Sequence, residues 1–317
     1  MDVNKPEWHL DQFFTLDKPI NAVAFNATDT LLALAAGCAK ADVYATSDWK
    51  KTKSLTELPK HPIDSLYFTP QNELLASVLS LHTACLVNLD TQKEIISIVG
   101  GENDWVSPSC IAAGESLFAI GYYNKVDLYD LNEKNKKPVS FDMTPSDISL
   151  KDVDLIMSLD INSTNQLLAA GSLQGTIYMY DIKTKKLIFP VLKKGPASIV
   201  AFSKSGNFFV TGDINGIVDV YKIDKEKNQL QKIHCFKNPE EKTIKSLSFS
   251  PNDKLLAVGT EDCLYIHDLT NKDYFFSFPN TGLIKALAFS HCSTLLAAGS
   301  SDKVARIFAS KKSSTKD

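Results

Sequence analysis

The 317-residue chain predicts an all-β fold: seven consecutive units of four antiparallel strands, set in a ring whose last unit is completed by the N-terminal strand. Three observations predict it. A short apolar motif recurs seven times. A second apolar position stands at a fixed distance ahead of every copy. A spare strand near the N-terminus matches a strand missing near the C-terminus.

The motif is two apolar residues followed by a small one, and internal periodicity of this kind decides architecture before any single element does. It reads Leu31-Leu32-Ala33, Leu74-Leu75-Ala76, Leu117-Phe118-Ala119, Leu167-Leu168-Ala169, Phe208-Phe209-Val210, Leu255-Leu256-Ala257 and Leu295-Leu296-Ala297, with copies about 40 to 50 residues apart. Phe25, Phe68, Ile111, Ile161, Phe202, Phe249 and Phe289 each lie six positions ahead of a copy. The five residues between are turn-like, as in Ser203-Lys204-Ser205-Gly206-Asn207. An apolar run, a short polar turn and a second apolar run make a β-hairpin.

A third strand follows each hairpin and ends on an aromatic residue or a substitute, as in Ile177-Tyr178-Met179-Tyr180 and Ile217-Val218-Asp219-Val220-Tyr221. A fourth follows in six units, for example Lys186 to Leu192 and Leu230 to Phe236. The unit cores fall near 20–58, 63–99, 106–143, 156–192, 197–236, 244–278 and 284–309, all in one domain spanning 1–310. The seventh stops at its third strand, and residues 8–16, beginning at Trp8, supply the missing one. Closing the ring this way removes the open interface of a linear stack. Residues 311–317 read as a flexible tail. The segment Asn132 to Leu155 is the longest connection, and such loops are either functional or mobile.

Four strands over about forty residues is the repeat length of WD40 β-propellers. At these residues the chain resembles the WD40-repeat family over essentially its whole length. The family's Trp-Asp signature stands as Tyr129-Asp130, Tyr180-Asp181 and His267-Asp268; its Gly-His pair is absent, and its turn aspartate stands at Asp302 and Asp262. The resemblance implies a seven-bladed propeller held by apolar packing between sheets, without a complete hydrogen-bonded tetrad.

Composition narrows the function. The formal net charge is −3, unlike the basic surface of a dedicated nucleic-acid binder, so no nucleic-acid partner is expected. The six cysteines include no C-x-x-C pair and read as reduced, small buried hydrophobes, with Cys38 in a turn as the exception. The first residues lack the apolar core of a secretory signal, and the longest apolar run, Leu31 to Ala39, is half of a membrane span. Cytoplasmic or nuclear residence without membrane insertion is the expectation.

Nucleotide-binding loops and zinc-protease helices have no match. Gly171-Ser172-Leu173-Gln174-Gly175 reads as a tight turn rather than a nucleophile elbow. The six histidines form no metal-ligand spacing, and His267 stands where the family has tryptophan. The chain is therefore expected to be no enzyme, to use no cofactor or metal, and to take no small-molecule ligand.

The resemblance implies docking on the top face, where loops from every blade converge around the central channel. Carried over position by position, Asn21, Asp64, Ser107, Met157, Ser198, Lys245 and Lys285 line that opening. Turns after the second strands add Leu173 and Ile214, and Trp105, Tyr122 and Tyr123 gather at the third blade. Aromatic and apolar groups in such loops are common interface anchors. The favoured reading is a scaffold or adaptor that binds one or more proteins or peptide segments on this face, as part of a larger complex. The alternative is a phosphoinositide- or phosphopeptide-reading propeller, motivated by Lys193, Lys194, Lys242, Lys245 and Lys285; Arg306, the one arginine, leaves no paired-arginine motif for it. An enzyme working at the channel mouth ranks third.

Overall fold

The computed structural model describes residues 7–37, 40–55, 63–69, 72–78, 83–91, 93–99, 108–113, 116–122, 125–133, 137–142, 155–162, 164, 166–188, 192–193, 195–196, 199–224, 226–227, 229–270 and 274–311. Its strands form seven antiparallel sheets. Blades 1 to 7 begin with the inner strands Ile20–Phe25, Ser65–Phe68, Pro108–Ala113, Ile156–Ile161, Ile199–Phe202, Ser246–Phe249 and Ile284–Phe289. In blades 1 to 6 four strands follow one another outward. In blade 7 the outermost place is taken by Glu7–Thr15, which pairs antiparallel with Val304–Lys311 from Glu7↔Lys311 to Thr15↔Val304. The expected closure is therefore present.

The described motif strands are largely buried, not alternating, because each lies between two neighbouring blades. All six residues of Leu167–Ser172 are buried, as a short continuous apolar run requires. Outer strands such as Gln229–Lys237 are largely exposed and polar. The core is accordingly a series of layers between sheets. One joins blades 1 and 2 through Ala33, Val43, Ile63, Leu66 and Leu74. Another joins blades 5 and 6 through Val210, Val220, Ile244 and Val258. The closing seam packs Ile20, Leu32, Leu34 and Tyr44 of blade 1 against Ala297, Ala305 and Ile307 of blade 7.

Glycine in the second strand makes room for the next blade. A Cβ at Gly259 would stand 2.7 Å from Ile284 Cγ2, and one at Gly299 would stand 2.7 Å from Ile20 Cγ2. The glycine of one blade and the isoleucine opening the next thus form one packing unit.

The hairpins on the bottom face are tied by a recurring cap. Side-chain oxygens of Asn26, Asn162, Ser203, Ser250 and Ser290 accept the N–H of the residue five places on: Leu31, Leu167, Phe208, Leu255 and Leu295, at 2.8–3.1 Å. All five capping residues are buried. The fourth turn residue has positive φ at Asp29, Gly206, Asp253 and Ser293, a conformation that Gly, Asn and Asp tolerate best.

The fixed six-residue offset needs correction in two blades. In blade 2, Phe68 pairs with Leu74 itself, and Thr69 Oγ1 accepts the N–H of Glu73, so the turn is one residue shorter. In blade 3, Phe118 pairs with Ala113, not with Ile111, which sits opposite Ile120. The position equivalent to Phe25 is therefore Ala113. An apolar residue at the right spacing was mistaken for the strand end because the flanking strand is apolar along its length. The outer strand of blade 4 is also not continuous: Lys186–Leu187 and Leu192–Lys193 pair with opposite ends of Thr176–Asp181. Pro190, between them in sequence, has no N–H to give to a ladder.

The cysteine expectation fails where it is testable. Cys235 and Cys292 are exposed free thiols and Cys263 is half-buried. Cys235 lies on an outer strand and Cys292 in a bottom turn, neither of them core, while Cys263 opens the third strand of blade 6 at the edge of a core layer. Cys38 lies outside the described residues.

Candidate functional site: the top face of the ring

In blades 1, 2, 4, 6 and 7 the inner strand enters the ring at the top through a buried isoleucine: Ile20, Ile63, Ile156, Ile244 and Ile284 are all at least 98% covered. In blades 1, 2, 6 and 7 the residue after it, Asn21, Asp64, Lys245 or Lys285, lines the channel cavity. In blades 1, 4 and 7 that residue, Asn21, Met157 or Lys285, is the extra residue of a β-bulge. A bulge adds one unpaired residue and re-aims its side chain away from the ladder. Blade 3 has its bulge between Pro108 and Cys110, which places Ser109 at this position. Ser107 had been assigned there from the mistaken Ile111 register, and Ser107 itself lies outside the described residues. So do Trp105, Tyr123 and Ser198. Of the twelve residues the sequence assigns to this face, the structure places Asn21, Asp64, Tyr122 (at the end of the strand Leu117–Tyr122), Met157, Leu173, Ile214, Lys245 and Lys285.

Asn21, Asp64, Lys245 and Lys285 share one cavity of about 480 Å³ that runs down the channel wall to Phe25, Phe249, Phe289 and His291. Lys285 Nζ donates to Asn21 Oδ1 at 3.0 Å, and Asn21 Nδ2 donates to the Ile63 carbonyl at 3.2 Å. These bonds link blades 7, 1 and 2 around the mouth. Lys245 Nζ stands 3.9 Å from Glu261 Oε1. Lys242, by contrast, donates to Asp262 at 2.9 Å, which holds its ammonium charged and occupied. Arg306 is half-buried and paired with Asp302 at 2.9 Å. Neither is available to a phosphate.

Met157, Leu173 and Ile214 are 40, 42 and 39% exposed on neighbouring blades 4 and 5. Their positions are fixed by backbone bonds: the Leu173 N–H donates to the Leu155 carbonyl at 2.7 Å, and the Ile214 N–H to the Pro196 carbonyl at 3.2 Å. Buried polar caps shape the turns that carry the last two. Ser172 Oγ accepts the Thr176 N–H at 2.8 Å, and Asp213 Oδ1 accepts the N–H groups of Asn215 and Ile217 at 2.9 and 3.0 Å. Sequence reading missed Asp213, although a buried-turn aspartate two places before Asn215-Gly216 is a recognisable turn signal.

The lower end of the channel holds a second cavity of about 690 Å³, walled by Phe202, Phe249, Phe289, Tyr67 and Asp160. Asp160 accepts the N–H of Phe202 at 2.6 Å and of Ile161 at 2.9 Å, joining blade 4 to blade 5. Burial in the channel wall pushes its carboxyl up to about 7, against the pull of those two N–H groups. His267 is buried against Phe236, and burial lowers its imidazole to about 4, so it fills core space as a neutral ring. Among the described residues no three His, Cys, Asp or Glu side chains are grouped to hold a metal ion. No helix of the described structure is long and apolar enough to cross a membrane.

Seven radial four-stranded sheets closed by a terminal strand define a β-propeller. A model described as "WD domain, G-beta repeat" matches residues 274–308, and one described as "Eukaryotic translation initiation factor eIF2A" matches residues 118–262. The chain is similar to the β-propeller domain of Cps50 (Swd1) from Myceliophteria thermophila, with a TM-score of 0.81 over 96% of this chain and 99% of that one, at 16% identity. No curated protein matches the sequence. The chain is a β-propeller in which residues 274–308 match the WD40 repeat.

Proposed function

We propose that the protein is a non-catalytic interaction platform, a subunit of a larger complex, that binds a partner protein or peptide on the top face of the propeller. WD40 propellers typically serve protein interaction, and the observation that carries the reading here is the top rim. Met157, Leu173 and Ile214 are exposed on blades 4 and 5, and Lys245 and Lys285 line the channel cavity on blades 6 and 7. Residence in the cytoplasm or nucleus, the lack of catalysis and the lack of a nucleic-acid or small-molecule partner belong to the same proposal. The phosphoinositide alternative is disfavoured, since Lys242 and Arg306 are committed to carboxylates of the protein itself.

Affinity purification with mass spectrometry tests the proposal. Wild type should capture a reproducible set of proteins. A variant with Leu173→Ser and Ile214→Ser should lose it, and a bottom-face variant with Lys204→Glu and Lys254→Glu should keep it. Because residues 118–262 match a family named for translation initiation, ribosome-associated proteins should be scored among the captured set. No reproducible partner, or loss only with the bottom-face changes, would overturn the assignment.

A further inference from the structure

Trp49 stands in the left-handed region of backbone conformation, at φ 56°. It lies in the turn between Ala41–Ala45 and Lys51–Leu55, the third and outer strands of blade 1. The same turn of blade 4 puts Lys185 in that conformation, at φ 57°. Glycine adopts it freely, whereas a bulky aromatic residue keeps it only where its surroundings hold it there. What holds Trp49 is the closing strand. The Phe14 ring centroid lies 4.3 Å from that of Tyr44 and 6.1 Å from that of Trp49, in the layer shared by blades 7 and 1. Leu16 packs on the same layer and donates its N–H to the Lys303 carbonyl at 2.9 Å.

The other end of the strand is anchored on the opposite face of blade 7. Trp8 is buried with Phe289 and Phe308 in the layer between blades 6 and 7. Trp8 and Phe14 are six positions apart, and a regular strand would aim both to one face. The register slips between Leu10 and Gln12, so Asp11 is the extra residue of a bulge and Phe14 turns to the face of Ala305 and Ile307. Between the two anchors, Leu10 and Phe13 are exposed. The inner part of the closing seam does without this strand. Ile20 packs against Gly299, and Asp29 accepts the N–H groups of His291 and Cys292 at 2.6 and 2.7 Å.

We infer that Glu7–Thr15 is a releasable strap. It leaves blade 7 while the inner strands keep the ring closed, and the clasp of Tyr44 and Trp49 on Phe14 sets how readily it does so. A strand pinned at two points, with exposed side chains between them, opens well below the free energy of global unfolding. Release begins at the blade 1 end, where Phe14 is half-buried, because the other end must first withdraw the buried Trp8.

Native-state hydrogen exchange of the full chain, read by mass spectrometry, tests this. The hydrogen-bonded amides of residues 9–15 should exchange at least about tenfold faster than those of the motif strands Leu167–Ser172 and Phe208–Gly212. Trp49→Gly then separates a clasp from a turn residue. A residue that only makes the turn gains from glycine at positive φ, so exchange in 9–15 would stay at the wild-type rate or slow. Loss of a clasp should speed it about tenfold or more and leave Leu167–Ser172 and Phe208–Gly212 unchanged. Phe14→Ala should act alike, and adding Trp49→Gly to it should change the rate less than about twofold, because both remove one contact. Trp49→Tyr, which keeps a ring, should stay near wild type. Wild-type exchange in 9–15 as slow as in the motif strands overturns the inference, and so does a Trp49→Gly variant no faster than wild type. Acceleration in every blade together also overturns it, since strap and ring would then open as one.

Discussion

The two rims of the ring use polar and apolar residues in opposite ways. On the bottom, polar side chains are consumed by the fold. Asn26, Asn162, Ser203, Ser250 and Ser290 are buried and bonded within their own hairpins. Asp29 of blade 1 accepts the N–H groups of His291 and Cys292 of blade 7, at 2.6 and 2.7 Å, across the closing seam. On the top, the buried caps stop one residue short of the turn tips. Beyond them stand Leu173 and Ile214, held out by backbone bonds, and the bulge residues Met157 and Lys285. The difference separates side chains that the fold needs from side chains that it merely positions. The second kind is where the docking proposed above would find unspent binding capacity.

Four experiments break or sharpen that contrast. The largest effect lies on neither rim but in the strand that closes the ring between them. Trp8 is buried against Phe289, with ring centroids 5.9 Å apart. Trp8→Ala should cost about 3–5 kcal/mol in urea unfolding. A cost below about 1 kcal/mol would show that closure does not depend on this strand's packing.

Next is Asp160. Its unfolded carboxyl titrates near the ordinary 3.8 and its folded one near 7. Between those values the folded protein holds a proton that the unfolded chain has lost, so stability falls as pH rises through the window and levels off above it. Asp160→Asn keeps an acceptor but cannot ionise. From pH 5 to pH 8 the wild type should lose about 1–4 kcal/mol more than the variant, since each tenfold change in proton affinity is worth about 1.4 kcal/mol. Parallel pH profiles would sink the idea that this residue ionises at a cost.

Third are the bottom caps. Ser250→Ala strands the buried Leu255 N–H and should cost about 1–3 kcal/mol, with Asn162→Ala behaving alike. Differential scanning calorimetry that finds both at wild-type stability would remove one side of the comparison. The smallest effect is expected on the top. Leu173→Ser with Ile214→Ser should change stability by less than about 0.5 kcal/mol while abolishing partner capture. A large destabilisation would mean that these side chains belong to the fold after all.

Much of this ring was legible in the sequence because blade packing imposes a one-dimensional pattern. Phe25, Phe202, Phe249 and Phe289 announce the hairpins, and the spare strand at Trp8 announces closure. Other parts were not legible for physical reasons. The isoleucine and glycine that pack between blades, such as Ile284 with Gly259, are far apart in sequence, and nothing local links them. The bottom caps were readable as Asn or Ser directly after the aromatic, but they look like ordinary turn residues. Blade 3 was misread because its strand is apolar at Ile111 and Ala113 alike, so spacing alone chose the wrong end. At the candidate site, the turn positions of Leu173 and Ile214 were foreseen. The hydrogen bond from Lys285 to Asn21 was not, because it depends on which residues the neighbouring blades bring to the mouth.

Ring closure by Glu7–Thr15 also has a consequence in time. This strand is synthesised well ahead of its partner, Val304–Lys311, with six blades between them. At about 5–20 residues per second, roughly 15–60 s of synthesis separates them. Throughout that interval the segment is an unpaired edge carrying Trp8, Leu10, Phe13 and Phe14, the kind of strand that pairs with whatever is offered. Birth order and assembly order are thus reversed at one sheet, and a chain that stalls before its final blade exposes both halves of the unfinished seam to the cell.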